Sequence, residues 1–155
     1  MTLLISHRGN LSGTNPKEEN RPSYIKEALD AGFDVEVDVW ILGQFNVIAL
    51  GHDKPEYIVE QNFLVENRDK FWLHCKNLEA LLVFSEGGFR AFYHQNDDFT
   101  LTTNGLIWTY PGKNLTPRSI VVLQTATLGK YSEEMLKNCY GICSDHVLEL
   151  KDMKL

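Results

Sequence analysis

The chain has 155 residues, 43% hydrophobic and 23% charged, with a formal net charge of −6 and a pI near 5.3. That length fits a single domain, residues 1–155, large enough to hold a core without staples. The acidic balance excludes nucleic acid and anionic membrane as main partners, because both need a basic surface; a small phosphorylated substrate needs only a local cationic site.

The three cysteines, Cys75, Cys139 and Cys143, are odd in number and lack a CxxC spacing. A disulfide framework and a structural zinc site are therefore not expected, and a reducing compartment is. The first residues have no cationic stretch and their apolar run is broken by His7-Arg8, so no signal peptide is expected. No apolar run approaches bilayer-spanning length. The expected location is the cytoplasm.

In chain order, short apolar runs predict strands at 3–7, 33–40, 46–51, 71–76, 89–94, 105–110, 119–124 and 141–144. Several are nearly continuous rather than alternating, the pattern of strands buried on both faces of a parallel sheet. Helices are fewer. Residues 22–31 open on Pro22 and stop at Gly32. Residues 78–85 follow Asn77, a good N-cap, and stop before Gly87-Gly88. Residues 132–139 start at Ser132, with Glu133 and Glu134 in the first turn. Residues 60–69 form a weaker helical segment, and none is predicted between 95 and 124.

This strand count is roughly that of a β/α barrel, although a full one takes about 250 residues. The predicted fold is thus α/β, a compact TIM-type (β/α) barrel with several outer helices missing. Bare barrel flank would then be covered by a homo-oligomer.

Polar residues that end apolar runs converge at one end of such a barrel. His7-Arg8 ends the first strand. In FDVEVDVW, Glu36 and Asp38 alternate with Val35, Val37 and Val39, which places both carboxylates on one strand face. Two carboxylates on one face repel unless a cation lies between them, and hard oxygen ligands suit Mg²⁺, Ca²⁺ or Mn²⁺. A hairpin turning at Gly43-Gln44 would make positions 36 and 52 symmetric about position 44 and return His52 to the neighbourhood of Glu36.

Together, SHRGN, EEN at 18–20, VEVDV and GHD resemble the glycerophosphodiester phosphodiesterase family, within the phospholipase-C-like phosphodiesterase barrels. The resemblance covers residues 3–53. It implies His7 and His52 as general acid and base, Arg8 as a phosphate contact, Glu36 and Asp38 as metal ligands, and Glu19 and Asn20 as braces or extensions of the site. Asp53 belongs to the His-Asp pair after the hairpin. The implied reaction cleaves a phosphodiester to an alcohol and a phosphomonoester. The chemistry suits these residue types. Cations lower the repulsion between the diester and an incoming oxygen, and two histidines exchange protons near neutrality.

The family's Glu-x-Lys pattern on the next strand is here His74-Cys75-Lys76. Lys76 matches and becomes a second phosphate contact. His74 stands where the glutamate would be. As a ligand it would favour a softer ion, Mn²⁺ or Zn²⁺; otherwise the metal is held weakly, or by two carboxylates and water. His94, Asp97, Trp108, Tyr110 and Asp145 are expected near the pocket mouth, without roles. Two functions follow: a metal-dependent phosphodiesterase on a small glycerol-like diester, or a weak or inactive relative that binds a phosphorylated ligand or a protein partner.

Overall fold

The structure is a computed structural model that describes residues 2–44 and 46–154. Its parallel framework begins with β1 (Leu3–His7), α1 (Pro22–Asp30) and β2 (Asp34–Leu42). A hairpin adds β3 (Val47–Leu50) and β4 (Tyr57–Val59), and α2 (Gln61–Val65), β5 (Phe71–Cys75), α3 (Leu78–Glu86) and β6 (Ala91–Phe92) follow. The second half contains β7 (Phe99–Leu101), β8 (Ile107–Thr109), β9 (Ser119–Leu123), a 3₁₀ helix, α4 (Glu133–Asn138), β10 (Gly141–Ser144) and α5 (Val147–Asp152).

The sheet corrects the barrel expectation. Strands β6, β5, β2, β1, β10, β9 and β8 lie side by side and parallel. The β3–β4 hairpin continues antiparallel from β2, and β7 is antiparallel to β8. This is a curled, mixed half-barrel, not a TIM barrel of alternating β/α units. Among the described residues no helix follows β6 or β8 before the next strand. The cause lies in residues 95–118, which are rich in Asn, Asp, Thr, Gly and Pro and carry no apolar stripe at helical spacing. Where the curl brings β6 toward β7, single bonds replace a backbone ladder. The Thr103 N–H donates to the Ala91 carbonyl at 2.8 Å, and the Thr100 hydroxyl to the Tyr93 carbonyl at 2.9 Å.

Local chemistry explains the elements. Pro22 starts α1, and Gly32, at φ 92°, takes the left-handed turn after it. Asn77 caps α3 by accepting from the Ala80 N–H, and Ser132 caps α4 by accepting from the Met135 N–H. The segment predicted as helix over 60–69 is helical only at Gln61–Val65, and the strand predicted over 89–94 shrinks to Ala91–Phe92. β4, β7 and α5 were not predicted.

Outside the curl, Val35, Val37 and Val39 pack with Ile25, Ala28, Ala80 and Phe84. On the other flank, Val121 and Ile142 meet Leu136 and Leu150. Inside the curl lies a third cluster of Ile5, Trp72, Phe92, Trp108, Ile120 and Cys143. It fills the interior and forms the floor under the strand ends. The three cysteines are buried and unpaired. Among the described residues no helix is long and apolar enough to cross a membrane.

Candidate active site

Above that floor the C-terminal strand ends enclose a cavity of about 420 Å³. On three inner strand faces the apolar floor residue is followed, two positions on, by a polar one: Ile5 by His7, Trp72 by His74 and Phe92 by His94. Parallel register sets His7 beside Glu36 and Asp38 beside His74. Carboxylates and rings therefore meet because the period-two side-chain alternation is in phase across three neighbouring strands.

Arg8 follows β1 in the left-handed region, at φ 54°. Its N–H donates to the Glu36 carbonyl at 2.9 Å, and its carbonyl accepts from the Asn20 N–H at 3.0 Å. These two bonds hold a conformation that costs a non-glycine residue roughly 1–2 kcal/mol. The next residue, Gly9, packs against helix α1; a Cβ there would stand 2.8 Å from the Tyr24 ring. The guanidinium donates to Glu19 at 3.1 Å, and its Nε lies 2.9 Å from Asp38 Oδ2, off the line of a hydrogen bond.

Asn20 grips Asp38 from both ends. Its amide donates to Oδ2 at 2.9 Å, and its carbonyl oxygen accepts from the Asp38 N–H at 2.9 Å. Glu19 and Asn20 thus contact Arg8 and Asp38 directly.

His7 is held through one ring nitrogen, whereas both His52 nitrogens lie within reach of Arg8. His7 Nδ1–H donates to Asp145 Oδ1 at 2.7 Å, which directs Nε2 toward Glu36 at 3.8 Å. Arg8 Nη2 lies 2.7 Å from His52 Nδ1. His52 Nε2 lies 3.4 Å from the same guanidinium nitrogen. Burial disfavours the charged form of His7, but the Asp145 bond and the Glu36 charge outweigh it and raise its pKa. Burial also opposes ionisation of Asp145, and its bond to His7 reverses the effect and lowers its pKa.

His52 and Glu36 line the same cavity, and the hairpin sets the direct partner of His52. The hairpin pairs Val39 with Leu50, one residue off symmetry about Gln44. The Gly51 N–H donates to the Asp38 carbonyl at 3.1 Å, and the His52 ring just beyond lies against the Asp38 side chain, at 3.3 Å, and beside Lys76, at 3.4 Å. Phe45 of that turn lies outside the described residues. Asp53 points away, its side chain 93% exposed, 3.6 Å from His52 Nε2.

Glu36, Asp38 and His74 each present one ligand atom, all within 4.8 Å of one another. His74 stacks on Phe92, and its Nε2–H donates to the His94 carbonyl at 2.9 Å. Its Nδ1 faces Asp38 at 3.1 Å and Glu36 at 3.5 Å. Burial pushes this ring's pKa down, yet the contacts with Asp38 and Glu36 lift it to about 9. Burial likewise opposes ionisation of Asp38, but contacts with His52 and His74 and the Arg8 charge hold it well below the usual carboxylate range. Glu36 Oε2 is buried and has no hydrogen-bond partner among the described residues. An orphaned carboxylate oxygen beside two further donors fits a divalent cation; two oxygens and one imidazole nitrogen suit Mn²⁺ or Zn²⁺ and accept Mg²⁺. Lys76 lies 3.4 Å from Asp38 Oδ1, at the edge of the same cavity.

Sequence reasoning gave Asp145 no role, nor did it single out Asn10, which donates to both Glu19 and Asp145. A signal for Asp145 was present: it stands two residues after the inward-facing Cys143, as His7 stands two after Ile5.

No protein-family model, curated protein or solved structure matches the chain.

Proposed function

We propose that this protein is a metal-dependent phosphodiesterase of the glycerophosphodiester type, cleaving a small diester to an alcohol and a phosphomonoester. What carries the reading is the gathering of His7, Arg8, Glu36, His52, His74 and Lys76 around one cavity, with Asp38 directly behind them. Composition alone does not require six such groups to meet.

Arg8 and Lys76 hold the anionic diester and offset the charge that builds on phosphorus as oxygen adds. Of His7 and His52, one removes the proton of the attacking water or neighbouring hydroxyl, and the other protonates the departing alkoxide. A P–O bond forms to the nucleophile, the P–O bond to the alcohol breaks, and the two proton transfers balance. A divalent ion held by Glu36, Asp38 and His74 would supply further charge screening at the phosphoryl oxygens. The buried, unpaired cysteines agree with a cytoplasmic setting for this enzyme.

One observation favours the second reading, a phosphorylated-ligand binder with little turnover. His74 Nδ1 lies between both carboxylates, where a proton can neutralise them in place of an ion. The test is release of glycerol phosphate from a diester panel with Mg²⁺, Ca²⁺, Mn²⁺, Zn²⁺ or chelator. The enzyme loses turnover in chelator and regains it with one of the ions. His7→Ala lowers the rate by at least about 10². Stabilisation by diester without product selects the binder, and an unchanged rate in His7→Ala overturns the role of His7.

A further inference from the structure

The cavity has two chemically different halves. The charged groups sit on β1, β2, β5 and the hairpin that leaves β2. The ends of β6, β8 and β9 supply His94, Gln95, Tyr110 and Gln124, which carry no fixed charge. β6 ends one branch of the sheet and β8 and β9 lie toward the opposite end, and the curl brings them together opposite the ionic half. The stacking of Phe92 on Trp108, with centroids 4.2 Å apart, marks that meeting.

On top of it, His94 stacks flat against Tyr110, with centroids 5.3 Å apart and planes within 5°. His94 is held in turn, Nε2–H donating to the Asp97 carbonyl at 2.6 Å. One face of Tyr110 is thereby covered and its ring fixed, while the residue stays 45% exposed at the cavity rim. Gln95 and Gln124 are exposed beside it, each carboxamide offering donors and an acceptor.

We propose that this half of the cavity is the leaving-group subsite, and that the alcohol it takes is an uncharged, hydroxyl-bearing ring of the sugar or cyclic-polyol class. The proposal rests on the phosphodiesterase reading for the phosphate's position. A ring polyol lays its C–H edges on the aromatic face and shares its hydroxyls between carboxamides that both donate and accept. A quaternary ammonium fits poorly. It is held by cages of several aromatic rings, and here the second ring, Trp108, is buried against Phe92. The cavity also carries Arg8 and Lys76, and its one lining carboxylate, Glu36, is buried among His7 and His74.

The test measures binding of the glycerophosphodiesters of inositol and of choline by calorimetry, with Mn²⁺, in a His7→Ala background that does not consume them. The inositol diester binds about tenfold more tightly, as one aromatic stacking contact predicts. Adding Tyr110→Ala or Gln124→Ala narrows the gap while choline-diester binding holds within about twofold. Equal affinities, a preference for choline, equal weakening of both ligands or no binding overturns the proposal. Glycerol phosphate release by the wild-type protein is followed in parallel. A preference without release overturns the hydrolase and leaves a binding site for the ring polyol; release without a preference keeps the hydrolase and overturns the ring-polyol assignment.

Discussion

At the scale of single residues, the site is organised by what each side chain is tied to. His7 is oriented by Asp145, and Arg8 by Glu19 and Asn20 acting from a loop. Asp145→Asn keeps the size of the side chain but removes the charge that favours the His7 imidazolium. The expected result is a rate lower by on the order of 10² and a downward shift of the His7 pKa, read from the pH–rate profile and from histidine NMR titration. An unshifted pKa would remove Asp145 from the mechanism. His74 gives a second prediction. It faces Glu36 and Asp38 from β2, His94 from beyond β6, and Phe92, with Lys76 two residues along its own chain. Its folded pKa, about 9, stands above the ordinary 6.5, so the folded state prefers the protonated ring. That stability is fully present below pH 6.5 and is lost as pH rises through about 9. His7, also raised, adds to the loss in the same direction. Melting temperature in chelator should fall across this interval, and His74→Gln should flatten the fall.

At the scale of elements, the β2–β3 hairpin decides which carboxylate His52 meets. Gly51 at its end adopts φ 145°, and an added Cβ would lie 2.2 Å from the Lys54 carbonyl oxygen, so the approach to His52 accepts only glycine. The carboxylate-bearing strand was legible because Glu36 and Asp38 alternate with valines. The hairpin's offset was not, because one residue of turn length shifts every pairing by one and leaves no mark on composition. Asn77 shows how a cap can join two elements. Its oxygen accepts from the Ala80 N–H, and its amide donates to the Ile41 carbonyl at 2.7 Å. Asn77→Ala should therefore cost about 1–3 kcal/mol in urea unfolding, more than a solvent-facing cap. β7 and α5 escaped prediction for different reasons. Phe99-Thr100-Leu101 is too short to establish a period, and α5 has only Val147 and Leu150 buried.

At the scale of the whole molecule, the sheet is a shell filled from inside by Trp72, Phe92 and Trp108 and covered from outside by helices along only part of its length. Residues 95–118 leave Phe99 and Leu101 exposed on the uncovered part. Metal binding to the Glu36–Asp38–His74 cluster should be visible in the stability of the entire chain, since its ligands come from two strands of the central sheet. At a free ion concentration about 100 times the Kd, the gain is about 2.7 kcal/mol. In a chain of this length that raises Tm by roughly 5–10 °C. The measurement is thermal unfolding with each divalent ion against chelator, and no rise with any ion would remove the metal from the proposed chemistry.

The sequence by itself determined most of the strands, three helices, the Asn77 and Ser132 caps on two of them, and the two-residue spacing that puts Glu36 and Asp38 on one face. These depend on local periodicity and on residues a few positions apart. Only the tertiary structure decided that the sheet curls without becoming a barrel of β/α units, that His52 meets Asp38, and that Asp145 reaches His7 across 138 positions of chain. Those outcomes depend on register between strands and on which flank has a helix to cover it. Both are settled when distant segments pack together.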